Sequence, residues 1–159
     1  MPRIAPANID GNSYERVMAH RPEILGKWFE LDALMRFTGL LDAELKEEVR
    51  RSLAPTVGCT FCSSLAVAKA EYPDRREELA IAYAQLLRDP KAIDDAMFDV
   101  LREEFTEEEI VELTCWSLFM IAAQGFGAVM GIPTATEQEV GVYEEWRRDG
   151  EAAAVASGV

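Results

Sequence analysis

Along most of the chain apolar residues recur at three- and four-residue steps, and every-second-residue alternation is nearly absent, so the pattern predicts packed helices and almost no sheet. Ser13 is placed to cap a short first helix through about Ala19, and Pro22 suits the first turn of a second running through Phe37. There Ile24, Leu25, Trp28, Leu31, Leu34 and Met35 make one apolar stripe, and Gly39 ends the helix. Asp42 can cap the next helix, with Leu45, Val49 and Leu53 on one face and Glu44, Lys46, Glu47, Glu48, Arg50 and Arg51 over the rest, as on a solvated surface. Pro55 and Gly58 predict a kink or stop before Cys59, and a new helix should carry Cys59 to about Glu71.

Asp74-x-x-Glu77, Thr106-x-x-Glu109 and Thr136-x-x-Glu139 have the form of capping boxes and set three helix starts. Ile93, Met97, Val100 and Leu101 suit a short amphipathic helix between Asp89-Pro90 and Phe105. From Ile110 to Met130 the chain is apolar nearly all round, which predicts the central buried helix of the domain or of an oligomer. Ala123, Gly127 and Gly131, four apart, offer a strip where another helix can approach. Cys115, beside Trp116, reads as a core residue. The expected fold is all-α, with about seven or eight helices and a Cys-bearing hairpin on the long central one. Residues 1–150 form one domain, and residues 151–159 read as a frayed tail.

Composition narrows the function. The 159 residues carry 29 acidic against 16 basic groups, and a net charge of −13 argues against nucleic-acid and membrane partners. No stretch approaches the roughly 18 uninterrupted apolar residues of a membrane span, and the N-terminus lacks a secretory pattern, so the expected location is the cytoplasm. Three cysteines are too few for a disulfide scaffold.

Two of those cysteines, Cys59 and Cys62, lie one helical turn apart at a helix start. Exposed N–H groups and the positive end of the helix dipole there favour thiolate over a thiol of pKa about 8.5. A dithiol so placed can attack with one sulfur and resolve with the other. Inert cysteines beside Val57 and Leu65 are the plain alternative. Zinc needs four ligands, and only Cys115 and His20 remain, so neither a metal nor a cofactor is expected. Glu47, twelve residues before Cys59, would approach the thiols if the flanking helices form an antiparallel hairpin, and a desolvated carboxyl with raised pKa would suit a proton acceptor. It equally suits a solvated face.

The segment from His20-Arg21-Pro22-Glu23-Ile24 through Gly39-Leu40-Leu41-Asp42, then Glu47 and Gly58-Cys59-Thr60-Phe61-Cys62, resembles the carboxymuconolactone decarboxylase/AhpD-like superfamily. Phe105 to Leu113 and Gly131-Ile132-Pro133 are similar to the helix that follows in many members. The peroxidase-type motif is a Glu, a Cys twelve residues on, x-x-Cys, and a His four further. Glu47, Cys59 and Cys62 match three places, and Ala66 occupies the fourth, where the family's relay histidine would stand. The resemblance implies a thiol-dependent antioxidant oxidoreductase of the alkylhydroperoxidase type. Cys62 would attack a peroxide or disulfide, Cys59 would resolve, and Glu47 would assist proton movement, although helix position alone favours Cys59 as the attacker. It also implies a homo-oligomer, a trimer or hexamer, and a separate reductant protein. Ala66 leaves two alternatives: a non-peroxidase member that takes a small lactone-like molecule with structural cysteines, or an oligomeric scaffold without chemistry.

Overall fold

The structure, a computed structural model, describes residues 1–157. Among these residues there are eight α-helices and no strand: α1 (Ser13–Met18), α2 (Pro22–Phe37), α3 (Ala43–Val57), α4 (Thr60–Leu65), α5 (Arg75–Leu86), α6 (Asp95–Leu101), α7 (Glu107–Met130) and α8 (Glu137–Ser157), with a short 3₁₀ turn at Pro90–Ala92. The hairpin of α3 and α4 packs on α7, as the sequence predicts, and α5 closes the other side of α3. One core joins α3, α5, α6 and α7 through Val49, Leu53, Tyr83, Leu101, Leu113 and Trp116. The second, around Tyr14, Val17, Ala54, Phe61, Leu65 and Ile132, holds α1 and α4.

Local signals place the helix starts well. Thr106 with Glu109 and Thr136 with Glu139 make reciprocal boxes, while Asp74 accepts from Glu77 N without the return bond. The cap of α1 is Asn12, boxed with Glu15, and Ser13 is already helical. Asp42 stands at the start of α3 but makes no side-chain cap bond. Gly58, at φ 87°, takes the left-handed conformation that ends α3, so Pro55 stays inside the helix.

Three expectations need correction. The helix from Cys59 stops at Leu65 instead of Glu71, because side chains of α3 take over its bonds. Arg50 Nη1 donates to Cys62 O (2.9 Å), the carbonyl that Ala66 N would otherwise meet, and buried Glu48 accepts from Lys69 N (2.7 Å) and Tyr72 OH (2.9 Å). Residues 151–157 are not a frayed tail: they continue α8 to Ser157, as their alanine-rich composition favours, and residues 158–159 lie outside the described residues.

The third concerns α7. By length and composition α7 is apolar enough to cross a membrane, yet its apolar surface is divided between core and solvent. Val111, Cys115, Leu118, Ala122 and Val129 fall on one helical stripe and are exposed, so Cys115 is a surface residue and the helix is not buried all round. The small residues lie elsewhere. Gly127 faces the cysteine pair, the Ala123 carbonyl accepts from Tyr14 OH (2.9 Å), and Gly131 is the left-handed terminator of α7. At Gly127 the missing side chain lets the Cys59–Cys62 hairpin come close.

A Cβ at position 127 would stand 2.5 Å from Cys59 Sγ, whereas one at position 125 would meet nothing within 4 Å. Gly127→Ala is therefore expected to lower stability by about 1–3 kcal/mol. Gly125→Ala should raise it by up to about 1 kcal/mol through helix propensity. Denaturant midpoints of the two variants check this pair.

Candidate functional site

Position Cys59 caps α4, its Sγ accepting from Cys62 N (3.1 Å), and the two cysteines form a disulfide with Cα atoms 5.2 Å apart. Cys59 is fully buried against Gly127. Cys62 is 8% exposed and forms part of the wall of a cavity of about 230 Å³. The two cysteines are thus unequal in access, and of the pair Cys62 alone lines the space where a small molecule would sit. Trp28, Phe29 and Trp146 supply aromatic surface to that cavity; its polar residues include Asp32, Arg36, Arg50, Gln124 and Tyr143, with Asn12, Glu15 and Glu139 also on the wall.

Beneath the disulfide the polar face of α3 is not solvated. Lys46, Glu47, Glu48 and Arg50 are all buried, each turned to a partner on another segment or on its own helix. Lys46 Nζ donates to the Met35 and Thr38 carbonyls (2.8 and 2.5 Å) at the end of α2 and pairs with Glu112 (2.5 Å). Glu112 also accepts from Leu40 N (2.6 Å), which fixes the turn at Gly39.

Glu47 is the centre of this layer. It accepts from Arg50 Nε and Nη2 (both 2.8 Å), Arg36 Nη1 (2.9 Å), Arg51 Nε (3.2 Å) and Tyr143 OH (2.7 Å). Burial alone would raise its pKa, but Arg50 and then Arg36, with the Tyr143 hydroxyl, hold it down to about 2. The raised pKa expected from the sequence is reversed: Glu47 is a fixed carboxylate. Its link to the cysteines is indirect and runs through Arg50, which binds Glu47 on one side and the Cys62 carbonyl on the other.

Asp32 is the carboxyl with the opposite tendency. It lines the cavity and accepts from Arg36 Nη2 (3.2 Å); burial pushes its pKa up, against the pull of Arg36. Burial likewise raises Tyr143 to about 12, so its hydroxyl is protonated at neutral pH. Arg36 lies within cation–π distance of Trp116 (4.9 Å) and Trp146 (5.1 Å).

Of the residues singled out from the sequence, Cys59, Cys62 and Glu47 are gathered into one layer, and Ala66 is the extended residue after α4. His20 is exposed, hydrogen-bonded to Ala5 O (2.8 Å), and is not part of the cavity wall. Among the described residues no three His, Cys, Asp or Glu side chains gather as metal ligands. Arg36, Arg50, Asp32, Gln124 and Tyr143 went unrecognised. The three-residue step from Glu47 to Arg50 is a legible pairing signal, whereas Arg36 and Tyr143 reach Glu47 from 11 and 96 positions away.

The fold is that of solved peroxidase-related proteins. An uncharacterized peroxidase-related protein of Ralstonia eutropha JMP134, described as an alkylhydroperoxidase AhpD core, superposes with a TM-score of 0.69 at 21% identity, covering 81% of this chain and 79% of that one. An uncharacterized peroxidase-related protein of Silicibacter sp. TM1040 gives 0.72 at 14% identity, over 82% and 79%. No family model and no curated protein matches the sequence. The chain has the AhpD-like fold, with a C-x-x-C pair on its helical hairpin.

The lowered pKa of Glu47 has a stability signature. Its folded value of about 2 lies below the ordinary 4.5, so its contribution is complete above about pH 5 and is lost as pH falls through 4.5 towards 2. Glu47→Gln leaves Arg36 and Arg50 buried without their shared anion and should cost about 3–5 kcal/mol at neutral pH. Urea midpoints from pH 7 down to pH 2 should fall steeply for the wild type and much less for the variant.

Proposed function

We propose that the chain is a thiol-dependent peroxide reductase, working in the cytoplasm where a reductant keeps the pair cycling. The observation that carries this reading is the placement of Cys62, bonded to Cys59, in the wall of an apolar cavity. In the reduced enzyme the Cys62 thiolate attacks the distal oxygen of an organic hydroperoxide. The O–O bond breaks, Cys62 becomes a sulfenic acid, and the alkoxide takes up the proton released when the thiolate formed. The Cys59 thiol then attacks the Cys62 sulfur, the disulfide closes and water leaves. A dithiol reductant returns two electrons.

Ala66 brings no proton to this sequence. Asp32 takes that part in the proposed reaction, since its raised pKa suits a carboxyl that holds a proton at the cavity and gives it to the alkoxide. Glu47 keeps Arg36, Arg50 and Tyr143 in place and does not itself titrate near neutral pH.

With cumene hydroperoxide and dithiothreitol, the wild type should consume reductant in a peroxide-dependent way, and Cys62→Ser should fall to background. Cys59→Ser should stop after one turnover, with a sulfenic acid that dimedone traps. Asp32→Asn should lose about a hundredfold in rate. Equal, near-background rates for wild type and Cys62→Ser would overturn the proposal. The second reading, a lactone-binding protein with structural cysteines, is favoured by Ala66; it requires that mild reductant and oxidant fail to cycle the Cys59–Cys62 bond, as mass spectrometry would read.

For assembly, the exposed stripe of α7, with Val111 and Val129 each 63% exposed and Leu118 43%, is the surface proposed to bury against further copies. Leu118→Glu should shift the mass measured by light scattering from oligomer to monomer.

A further inference from the structure

A cycling disulfide must be reduced as well as formed, and the two steps differ in the room they need. Cys59 is fully buried and Cys62 nearly so, with Trp28 and Phe29 of α2 and Val142, Tyr143 and Trp146 of α8 in the same cavity wall. A small molecule meets Cys62 from within that cavity. A dithiol carried by a protein needs more space, because the mixed disulfide it forms draws its own main chain to within about 7 Å of the Cys62 Cα. At that distance it meets the covering helices, and one of them has to move.

The ties of α8 single it out. It packs on α2 and α4, yet no described residue of it is buried. Its start is anchored: Ala135 N donates to Ser64 Oγ (2.8 Å), Glu139 accepts from Ser13 N (2.6 Å), and Val140 packs against the second core. Beyond Val140 the ties thin out. Tyr143 OH donates to Glu47 (2.7 Å) and accepts from Arg36 Nη1 (3.0 Å), Trp146 and Phe37 meet edge to face with centroids 5.0 Å apart, and Arg147 pairs with Glu44 (3.3 Å) at the surface. Tyr143 is also the one uncharged partner of Glu47. When it leaves, Arg50, Arg36 and Arg51 still hold the carboxylate, so no buried charge loses its counter-charge. Lifting α2 would instead strip Arg36 from Glu47.

We propose that α8 beyond Val140 is a latched cover over Cys62, with Tyr143 as the latch, and that it lifts from α2 and α4 to let a dithiol borne on another protein reduce the Cys59–Cys62 bond. This rests on the reading of the pair as a cycling disulfide. In the open state a thiolate of the partner attacks Cys62 Sγ, the S–S bond breaks, and Cys59 leaves as a thiolate that takes up a proton. The partner's second thiol then attacks the partner's own bonded sulfur. Cys62 is released and protonated, a disulfide closes on the partner, and two electrons have passed to this chain.

The test follows reduction of the full chain in its disulfide form, without peroxide, by dithiothreitol and by reduced thioredoxin as the protein-borne dithiol, read by alkylation and mass spectrometry. Both should reduce the wild type. A Cβ at position 150 would overlap the Phe37 ring, and Gly150 is not on the cavity wall; one at position 141 of the same helix would meet nothing within 4 Å. Gly150→Ala should therefore speed reduction by thioredoxin about tenfold and leave the dithiothreitol rate unchanged, while Gly141→Ala should speed neither. Amide exchange reads the cover directly. In the wild type, amides 142–156 should open together well before those of α3, and about tenfold sooner again in Tyr143→Phe. A thioredoxin rate that Gly150→Ala leaves unchanged, no reduction by thioredoxin where dithiothreitol succeeds, or exchange of α8 no sooner than that of α3 would each overturn the cover. Resistance to dithiothreitol as well would overturn the cycling disulfide on which it rests, whereas reduction through the cover in a protein that fails to turn over peroxide would overturn only the proposed reaction.

Discussion

The structure depends on a buried carboxylate. Glu47 sits in the middle of α3, out of water, and is tolerable there only because guanidinium groups and a phenol converge on it. Each of those partners belongs to a segment whose place is thereby set. Arg36 fixes the inner face of α2 and Tyr143 docks α8. Arg50, held by the same carboxylate, ends α4 at the Cys62 carbonyl and so orients the cysteine hairpin. Apolar contacts alone tolerate sliding and repacking; a carboxylate that takes five hydrogen bonds in a dry interior does not. The relative positions of four helices around the cysteines follow from that requirement, and the stacking of Arg36 on Trp116 extends it to α7.

Much of this was legible in the chain where the governing signal is local. Caps at Asp74, Thr106 and Thr136, the start at Pro22 and the glycine stop at Gly58 act over three or four residues, and the helices begin and end accordingly. The solvated face assigned to Lys46, Glu47, Glu48 and Arg50 failed for a physical reason. Helical periodicity reports which residues share a face, but a charge turned to water and a charge turned to a distant counter-charge have the same spacing. The overlong helix after Cys59 has the same origin, since its stop is written in Arg50 and Glu48, on the preceding helix. The repeat of Ala123, Gly127 and Gly131 was visible, but what approaches it, a disulfide and a tyrosine, comes from chain more than sixty residues earlier.

The C-x-x-C pair was the plainest chemical signal, and the fold changes what its two members can do. With Gly127 removing any side chain at that point of α7, Cys59 is pressed into the helix–helix seam, while Cys62, one turn on, meets the cavity. Electrostatics at the helix start favours the first sulfur and access favours the second. A nucleophile must be met by its substrate before its pKa matters, so in the proposed reaction access decides for Cys62.

The same carboxylate layer shapes the cavity's chemistry. By binding Arg50 through Nε and Nη2 and Arg36 through Nη1, Glu47 gives both guanidinium groups of the cavity wall a fixed counter-charge. Asp32 stands on the same wall, where burial raises its pKa against the pull of Arg36. The network that organises the helices is thus also part of the cavity wall, so a substitution that breaks the pairing of α2, α3 and α8 changes the cavity as well as the fold.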